Sequence, residues 1–249
     1  MRLLLTTALV GSLAAPCGIA LSATIFKDLH SFTGGAADGD IPSSDLVADS
    51  EGRLYGTTNF GGSGGDGTLY RITPPTSTSP ARIEILHSFQ VAEGVTPVGG
   101  VLIGADGGLY GTTNAGGAHN GGTVYRVDPV TFELTDLHDF NSSTKPEDGS
   151  APQAGLTEGP NGLLYGTTTE NGPLGGGTVF AISPKGGTVH YAVIYAFGAA
   201  ADGNHPGGGR LVSSGTNLFG ATSFGGKFGA GSVFELSPAA GGKWHESGL

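Results

Sequence analysis

The sequence predicts an all-β fold, a propeller-like ring of four blades with about 55 residues and four antiparallel strands in each. Three observations carry this prediction. One sequence pattern occurs four times at a nearly constant spacing, and no stretch shows the 3.6-residue apolar period of a helix. The two ends of the chain also carry complementary parts of the pattern, so we expect the N-terminal strand to close the ring.

The most regular feature of the repeat is the block Leu-Tyr-Gly-Thr-Thr. It begins at Leu54, Leu109 and Leu164, and it returns as Leu-Phe-Gly-Ala-Thr at Leu218. A second block, Gly-Thr/Ser-aliphatic-aromatic, follows every copy at the same step. A proline marks a third equivalent position, at Pro42, Pro97, Pro152 and Pro206. Spacing this regular predicts a repeat architecture.

Each unit reads as four short strands, A to D, separated by turn residues. Strand A follows the proline, as in Asp45–Ala48, and strand B is the Leu-Tyr-Gly-Thr-Thr block. Strand C is the second block, as in Thr123–Val127, and strand D precedes the next unit, as in Arg82–Phe89. Glycine-rich loops join B to C.

Strand C indicates how the units pack. Tyr125 and Val127 point to one side, and their equivalents stay aromatic and aliphatic, which predicts a buried face. Arg126 points to the other side, and its equivalents change between Arg, Ala and Glu, which predicts a solvated position. One sheet cannot bury its apolar face alone, so we expect the units to stack around an axis.

The chain ends suggest how the ring closes. The segment Thr24–Phe32 reads as a strand D without its own A, B and C, whereas the last unit ends in the short segment Lys243–Leu249. We expect Ile25–Phe32 to pair with Ser232–Leu236, which removes an exposed strand edge and leaves Lys243–Leu249 outside the ladder. A monomer is expected. If four blades cannot close, the same edges would pair between chains in a dimeric ring.

The first 23 residues have the pattern of a secretory signal peptide, with Arg2, the apolar run Leu3–Ala15 and small residues before Ala23. Residues 24–249 then form a single repeat domain. Its units are approximately 33–89, 90–140, 141–197 and 198–249, after the N-terminal strand 24–32. The mature chain is expected to be secreted, periplasmic or at the cell surface, without membrane insertion. Lipidation of Cys17 is disfavoured because Pro16 precedes it.

Composition narrows the possible partners. The 48 glycines recur with the repeat and therefore read as turn and close-packing residues. The formal net charge of −10 gives no electrostatic footprint for nucleic acid. Cationic ligands, metal ions and neutral glycans stay open.

Together the repeated blocks resemble the GloVer-type, or choice-of-anchor, tandem repeat of bacterial surface and secreted proteins. The resemblance covers residues 24–249, and it implies a propeller-like fold related in style to kelch repeats. It implies no established reaction and no catalytic residues. The chain departs from the family because it has no obvious C-terminal anchor, and truncation of a longer array stays open.

Two sets of repeated polar residues are better explained by structure than by chemistry. His30, His87, His138 and Tyr195 are equivalent, and a structural hydrogen bond is expected for each because equivalent positions lie about one blade apart. The acids before the marker prolines read as turn formers, since one carboxylate per loop is too few for Ca²⁺. No metal site and no cofactor are predicted, and no catalytic motif is found.

Polar and aromatic residues that are not repeated in the B–C loops are the better candidates for ligand binding, since B–C and D–A loops are expected on one face. The candidates are Asn59, Phe60, Asn114, His119, Asn120, Glu170, Asn171, Phe224, Lys227 and Phe228. The leading hypothesis is a binding or structural module without catalysis, with a glycan or another extracellular protein as partner. The alternative is a secreted carbohydrate-active hydrolase or lyase with unidentified carboxylates at the mouth of the propeller.

Overall fold

The computed structural model describes residues 26–142, 146–184, 189–198, 202–239 and 243–248. This part of the chain is all-β, and its one helix is a single 3₁₀ turn, Pro146–Asp148. No helix within these ranges combines the length and the apolar character needed to cross a bilayer. The proposed signal peptide, residues 1–23, lies outside the described residues.

Each unit forms an antiparallel sheet with strands A, B, C and D side by side in chain order. Unit 1 contains β1 (Gly39–Asp40), β2 (Val47–Ala48), β3 (Leu54–Thr58), β4 (Phe60–Gly61), β5 (Thr68–Thr73) and β6 (Arg82–Ser88). Unit 2 contains β7 (Leu102–Ile103), β8 (Leu109–Thr113), β9 (Asn120–Val127) and β10 (Leu134–Asn141). Unit 3 contains β11 (Thr157–Glu158), β12 (Leu164–Thr168), β13 (Thr178–Ser183) and β14 (His190–Ala196). Unit 4 contains β15 (Asn204–Pro206), β16 (Val212–Ser214), β17 (Asn217–Phe224), β18 (Ser232–Pro238) and β19 (Trp244–Gly248).

Strands A to D are β2, β3, β5 and β6 in unit 1 and β7 to β10 in unit 2. They are β11 to β14 in unit 3 and β16 to β19 in unit 4. The observed strands A are only two or three residues long, which is shorter than predicted. Outside the four sheets, β1 pairs with β4, and β15 pairs with the far end of β17.

Packing explains why the glycine and the last threonine of the Leu-Tyr-Gly-Thr-Thr block recur. A Cβ on Gly111 would overlap with the Tyr125 ring on strand C, so only glycine lets the aromatic ring cross strand B. The hydroxyl of Thr113 lies 2.9 Å from that of Thr123 on strand C, and the two buried hydroxyls form a hydrogen bond. The same pairs recur in the other units, and they make this block the constant part of the repeat.

Successive units are joined by the aromatic residue at the end of strand D. Phe89 packs 4.9 Å from Tyr125 of the next unit, Phe140 5.3 Å from Phe180, and Phe197 5.0 Å from Phe234. Each pair belongs to a buried cluster between two units. Val124, on the same side of strand C as Arg126, is also fully buried. Both faces of strand C are therefore covered at the end that follows the B–C loop, and only the Arg126 end of the second face is partly exposed.

The predicted closure is wrong in its strand pairing. Strand C of unit 4, β18, pairs with β19 in register Phe234↔Gly248 to Pro238↔Trp244, so Trp244–Gly248 lies within the ladder and not outside it as predicted. Residues 26–32 form no strand, and Ile25 lies outside the described residues. A hairpin partner a few residues along the chain costs less loop-closure entropy than a partner some 200 residues away, which favours β19.

The N-terminal segment nevertheless takes over one part of the expected packing. Phe32 lies 5.0 Å from Tyr70 of unit 1, as Phe89, Phe140 and Phe197 lie on their following units. The faces that units 4 and 1 turn towards each other are less well covered than the other faces between units. Val233 is 53% exposed although its equivalents Leu69, Val124 and Val179 are fully buried, and Leu46 is 51% exposed. We call these two facing surfaces, with Phe219, the seam.

Candidate ligand-binding site

Segments of all four units meet just before their strands A. The residue two positions before strand A is Asp45, Gly100, Gly155 and Arg210 in units 1 to 4. The Arg210 guanidinium donates from Nη1 to the Leu156 carbonyl at 3.0 Å and from Nη2 to the Val101 carbonyl at 3.1 Å. Nη2 also lies 3.1 Å from Oδ1 of Asp45. One side chain of unit 4 therefore contacts all three other units.

The two glycines make room for this contact. A Cβ on Gly100 would overlap with the Asp45 carboxylate, and a Cβ on Gly155 would lie 2.9 Å from the Arg210 guanidinium carbon. The two opposite charges thus meet in the space that the two glycines leave open at equivalent positions. This ion pair joins unit 1 to unit 4, the first and last units of the repeat.

Above this ion pair lies a cavity of about 350 Å³, which we call the axial cavity. It is lined by equivalent segments of all four units: Ser43, Ser44, Asp45, Val98, Gly99, Gln153, Ala154, Gly155, Gly207, Gly208, Gly209 and Arg210. The lining offers hydroxyl, amide and backbone groups with a single carboxylate, Asp45, which is already paired with Arg210. This composition suits a polar ligand of modest size.

A second cavity of about 340 Å³ adjoins the axial cavity, and we call it the 3/4 groove because units 3 and 4 form it. The two cavities share Gln153, Gly207 and Gly208. The remaining lining residues of the groove are Thr169, Glu170, His205, Ser223 and Phe224. The His205 and Phe224 rings meet edge to face at 5.4 Å.

The B–C loops and the D–A segments lie on one face, as expected, because short bridges such as Val95↔Ala115 and Ser150↔Glu170 connect them. We call this face the loop face. Of the sequence-predicted candidates, only Glu170 and Phe224 line the 3/4 groove. None of the ten lines the axial cavity. Gln153 and Arg210 were missed because they lie before strand A rather than in a B–C loop.

The asparagine candidates are used within the fold. Asn59 accepts a hydrogen bond from Ser43 Oγ at 2.6 Å, and Asn171 donates to Ser150 Oγ at 2.6 Å. Asn114 Oδ1 is buried without a hydrogen-bond partner among the described residues, since Val98 stands where unit 1 has Ser43. Asn120 is exposed and has a positive φ of 58°, which is a turn role.

The other candidates are exposed side chains on separate loops. Phe60 and Phe228 are both exposed, and the Lys227 ammonium lies 5.3 Å from the centre of the Phe228 ring. His119 is exposed, and its carbonyl accepts a hydrogen bond from Ser142. The structure thus divides the ten candidates into a pair at the 3/4 groove and residues on the surrounding loops.

The repeated histidines form the structural hydrogen bonds that were expected. Nε2 of His30, His87 and His138 lies 3.0 to 3.1 Å from Asp38, Glu93 and Asp148, and the Tyr195 hydroxyl donates to Asp202 at 2.9 Å. Burial alone would raise the pKa of Asp38. Hydrogen bonds from the backbone of Thr33 and Gly39 and from His30 outweigh burial and lower that pKa.

A larger cavity, about 520 Å³, lies away from the axis on the turns between strands A and B of units 1 and 2. Its half-buried carboxylate, Asp49, already accepts hydrogen bonds from Arg53, from Tyr55 and from backbone amides. These bonds lower the pKa of Asp49 although burial opposes them. The polar groups of this cavity therefore stabilise the turn, and the loop face is the better candidate site.

The two cavities of the loop face differ from a glycosidase site in their carboxyl groups. Glycosidic hydrolysis needs two carboxyl groups facing each other across the substrate. The axial cavity contains only Asp45, and the 3/4 groove contains only Glu170. Within the described ranges, no group of three or more His, Cys, Asp or Glu residues is placed to hold a metal ion.

Fold and site together define an all-β tandem-repeat protein with propeller-like antiparallel sheets. The Gloeobacter/Verrucomicrobia repeat family matches residues 77–245, more than half of the chain, and the chain belongs to this family. The resemblance to GloVer-type repeats is thereby confirmed. No curated protein sequence matches the chain.

Solved structures with similar folds have low sequence identity. A protein named as a candidate 6-phosphogluconolactonase from Bacteroides uniformis is 17% identical, with a TM-score of 0.50, over 83% of this chain and 55% of that one. TolB from Acinetobacter baumannii is 14% identical, with a TM-score of 0.49, over 81% and 43%. The endo-arabinase from Bacteroides thetaiotaomicron is 14% identical, with a TM-score of 0.47, over 88% and 84%. The chain spans about half the length of the first two, and the likeness to the Bacteroides uniformis protein concerns the fold alone.

Proposed function

We propose that the chain is exported and acts as a non-catalytic binding module, a four-bladed propeller that holds a polar ligand on its loop face. The observation that carries this proposal is the axial cavity, which equivalent segments of all four units line. Arg210 supports the four-bladed arrangement because it contacts units 1, 2 and 3 at once. A glycan is the ligand class that best fits hydroxyl, amide and backbone groups with a neutralised ion pair.

The export part rests on the N-terminal sequence. The exported chain is expected to start near Ala23 or Thr24, and N-terminal sequencing of the secreted protein measures this directly. Recovery of the protein only inside the cell, with Met1 retained, would contradict export and leave the binding proposal to be judged separately.

The binding part can be tested by filling the cavity. Gly209 lines the axial cavity, its φ is not positive, and a Cβ there would meet no atom within 4 Å. Gly209→Phe should therefore leave the unfolding midpoint nearly unchanged but occupy the cavity. On a glycan array, the wild type is expected to bind, and Gly209→Phe is expected to lose most of the signal.

The control places the same bulk on a distant surface. Val130 is exposed in the turn between strands C and D of unit 2, so Val130→Phe should bind as the wild type does. Equal binding by Gly209→Phe and the wild type would show that the axial cavity is not the site. A wild type that binds no glycan at all would contradict the ligand class.

A further inference from the structure

The 3/4 groove differs from the adjoining axial cavity in the charge that it leaves uncompensated. The Glu170 side chain is exposed, and it makes no hydrogen bond or ion pair with any part of the chain that the structure describes. The neighbouring Asp45 is matched by Arg210, so the axial cavity contributes no net charge. A ligand in the groove therefore meets one negative charge.

The second property of the groove is its aromatic wall. Phe224 is 57% exposed, and the edge-to-face contact with His205 holds its ring in place. The backbone fixes His205 as well, since its amide donates to the Gly176 carbonyl at 2.8 Å. An exposed aromatic ring that is held in place offers a flat apolar surface with a negative face, which attracts polarised C–H groups and cations.

The third property is the supply of polar groups between these two. Gln153 contributes an amide, and Ser223 contributes a hydroxyl. A Cβ on Gly208 would meet nothing within 4 Å, so the backbone there is open to a ligand. The volume of about 340 Å³ lies in the range of roughly 300–1,000 Å³ that is typical of ligand sites.

From these three properties we infer that the 3/4 groove is a subsite for a sugar ring that carries a positive charge, namely an amino sugar with a free ammonium group. The ring stacks on Phe224, its ammonium group pairs with Glu170, and its hydroxyls bond to Gln153 and the Gly208 backbone. This inference rests on the proposed function, because it assigns the ligand class of the same loop face. The chain's net charge of −10 adds a long-range attraction for such a ligand.

The alternatives fit the groove less well. An acidic sugar would bring a second negative charge to Glu170, and like charges at short range repel. A neutral sugar would stack on Phe224 but would leave the carboxylate without its counter-charge. A lysine side chain would satisfy Glu170 but has no ring hydroxyls for Gln153 and the Gly208 backbone.

The test is a titration calorimetry series with β-1,4-linked glucosamine hexamer, its fully N-acetylated counterpart and hexalysine. The wild type is expected to bind the glucosamine hexamer at least about tenfold more tightly than the other two. Phe224→Ala and Glu170→Gln should each weaken that binding about tenfold or more, and high salt should weaken it further. Val130→Ala, which changes an exposed apolar residue far from the groove, should have no effect.

Three outcomes separate this inference from the proposed function. Loss of glucosamine binding in Glu170→Gln but not in Gly209→Phe supports the subsite and contradicts the axial role. Equal binding of the acetylated hexamer, still sensitive to Gly209→Phe, keeps the proposed function and overturns the amino-sugar assignment. Equal binding of hexalysine overturns the assignment too, because charge alone would then explain it.

Discussion

The interfaces between successive units are closed, whereas the seam between unit 4 and unit 1 is open, although the residues on both are of the same kind. Val101, Leu156 and Leu211 are buried at the closed interfaces, and their equivalent Leu46 is half exposed at the seam. Tyr55, Tyr110 and Tyr165 are buried, and their equivalent Phe219 is only partly covered. Burial in this fold is therefore decided by the neighbouring sheet and not by the residue itself.

The seam is nevertheless held at two points. Arg210 and Asp45 join units 4 and 1 at the axis, and Phe32 covers Tyr70 on the outer side of unit 1. The three equivalents of Phe32 lie in, or directly after, a strand D that pairs with its own sheet, but Phe32 lies in a segment without such pairing. The comparison predicts that the same substitution lowers the free energy of unfolding less at the seam than at a closed interface.

The largest difference is expected for the aromatic residues that join the units. Phe140→Ala removes a fully buried ring and should lower the free energy of unfolding by about 3–5 kcal/mol. Phe32→Ala removes an equivalent but half-buried ring, and we expect less than half of that loss. Urea unfolding of both variants measures this difference. Equal losses would show that the seam is closed in solution as tightly as the other interfaces.

The comparison also explains which part of the fold could be predicted from the sequence. The sheets could be predicted from the repeat, because their contacts lie within one unit and recur in every unit. In unit 2, Gly111 packs against the Tyr125 ring, and the hydroxyls of Thr113 and Thr123 are hydrogen-bonded. Strand D of unit 4 could not be recognised, since Trp244–Gly248 lacks the aliphatic and aromatic alternation of the other strands D. Its pairing follows from a short hairpin, which competes with the N-terminal segment for the same edge.

The candidate site was predicted only in part. Glu170 and Phe224 were found because they interrupt the glycine-rich loops with charge and aromatic character. Arg210 was missed, although an alignment of the units places Asp, Gly, Gly and Arg at one position. Two opposite charges and two glycines at one repeat position are a pattern that could have indicated an ion pair between units. The contact that they make depends on how closely the four strands A approach, which no single unit encodes.

A smaller effect is expected at the axis, where the seam is held by charge. Arg210→Met removes the donors to the Val101 and Leu156 carbonyls and should cost about 1–2 kcal/mol of unfolding free energy. Asp45→Asn should cost less than about 0.5 kcal/mol, because an ion pair with an exposed partner is strongly screened. Denaturant unfolding of the two single variants and the double variant separates the contributions. A large loss in Asp45→Asn would mean that the ion pair across the seam contributes more to stability than the carbonyl contacts to units 2 and 3.

The smallest effect, and the one that depends on pH, concerns the carboxylate that holds the N-terminal segment on unit 1. Asp38 accepts hydrogen bonds from the backbone of Thr33 and Gly39 and lies beside His30, and its pKa is lowered below the usual value of 3.8. A lowered pKa in the folded state means that the charged form stabilises the fold at pH values above the unfolded pKa. This contribution is lost as the pH falls through the folded pKa. Asp38→Asn should therefore cost about 1 kcal/mol at pH 7, and the difference from the wild type should shrink steadily below about pH 4. Unfolding free energies measured between pH 7 and pH 2.5 provide the test, with Phe32→Ala as the control whose cost should not vary with pH. A cost for Asp38→Asn that stays constant over this range would show that the charge of the carboxylate does not contribute to stability. Phe32 alone would then hold the N-terminal segment on unit 1.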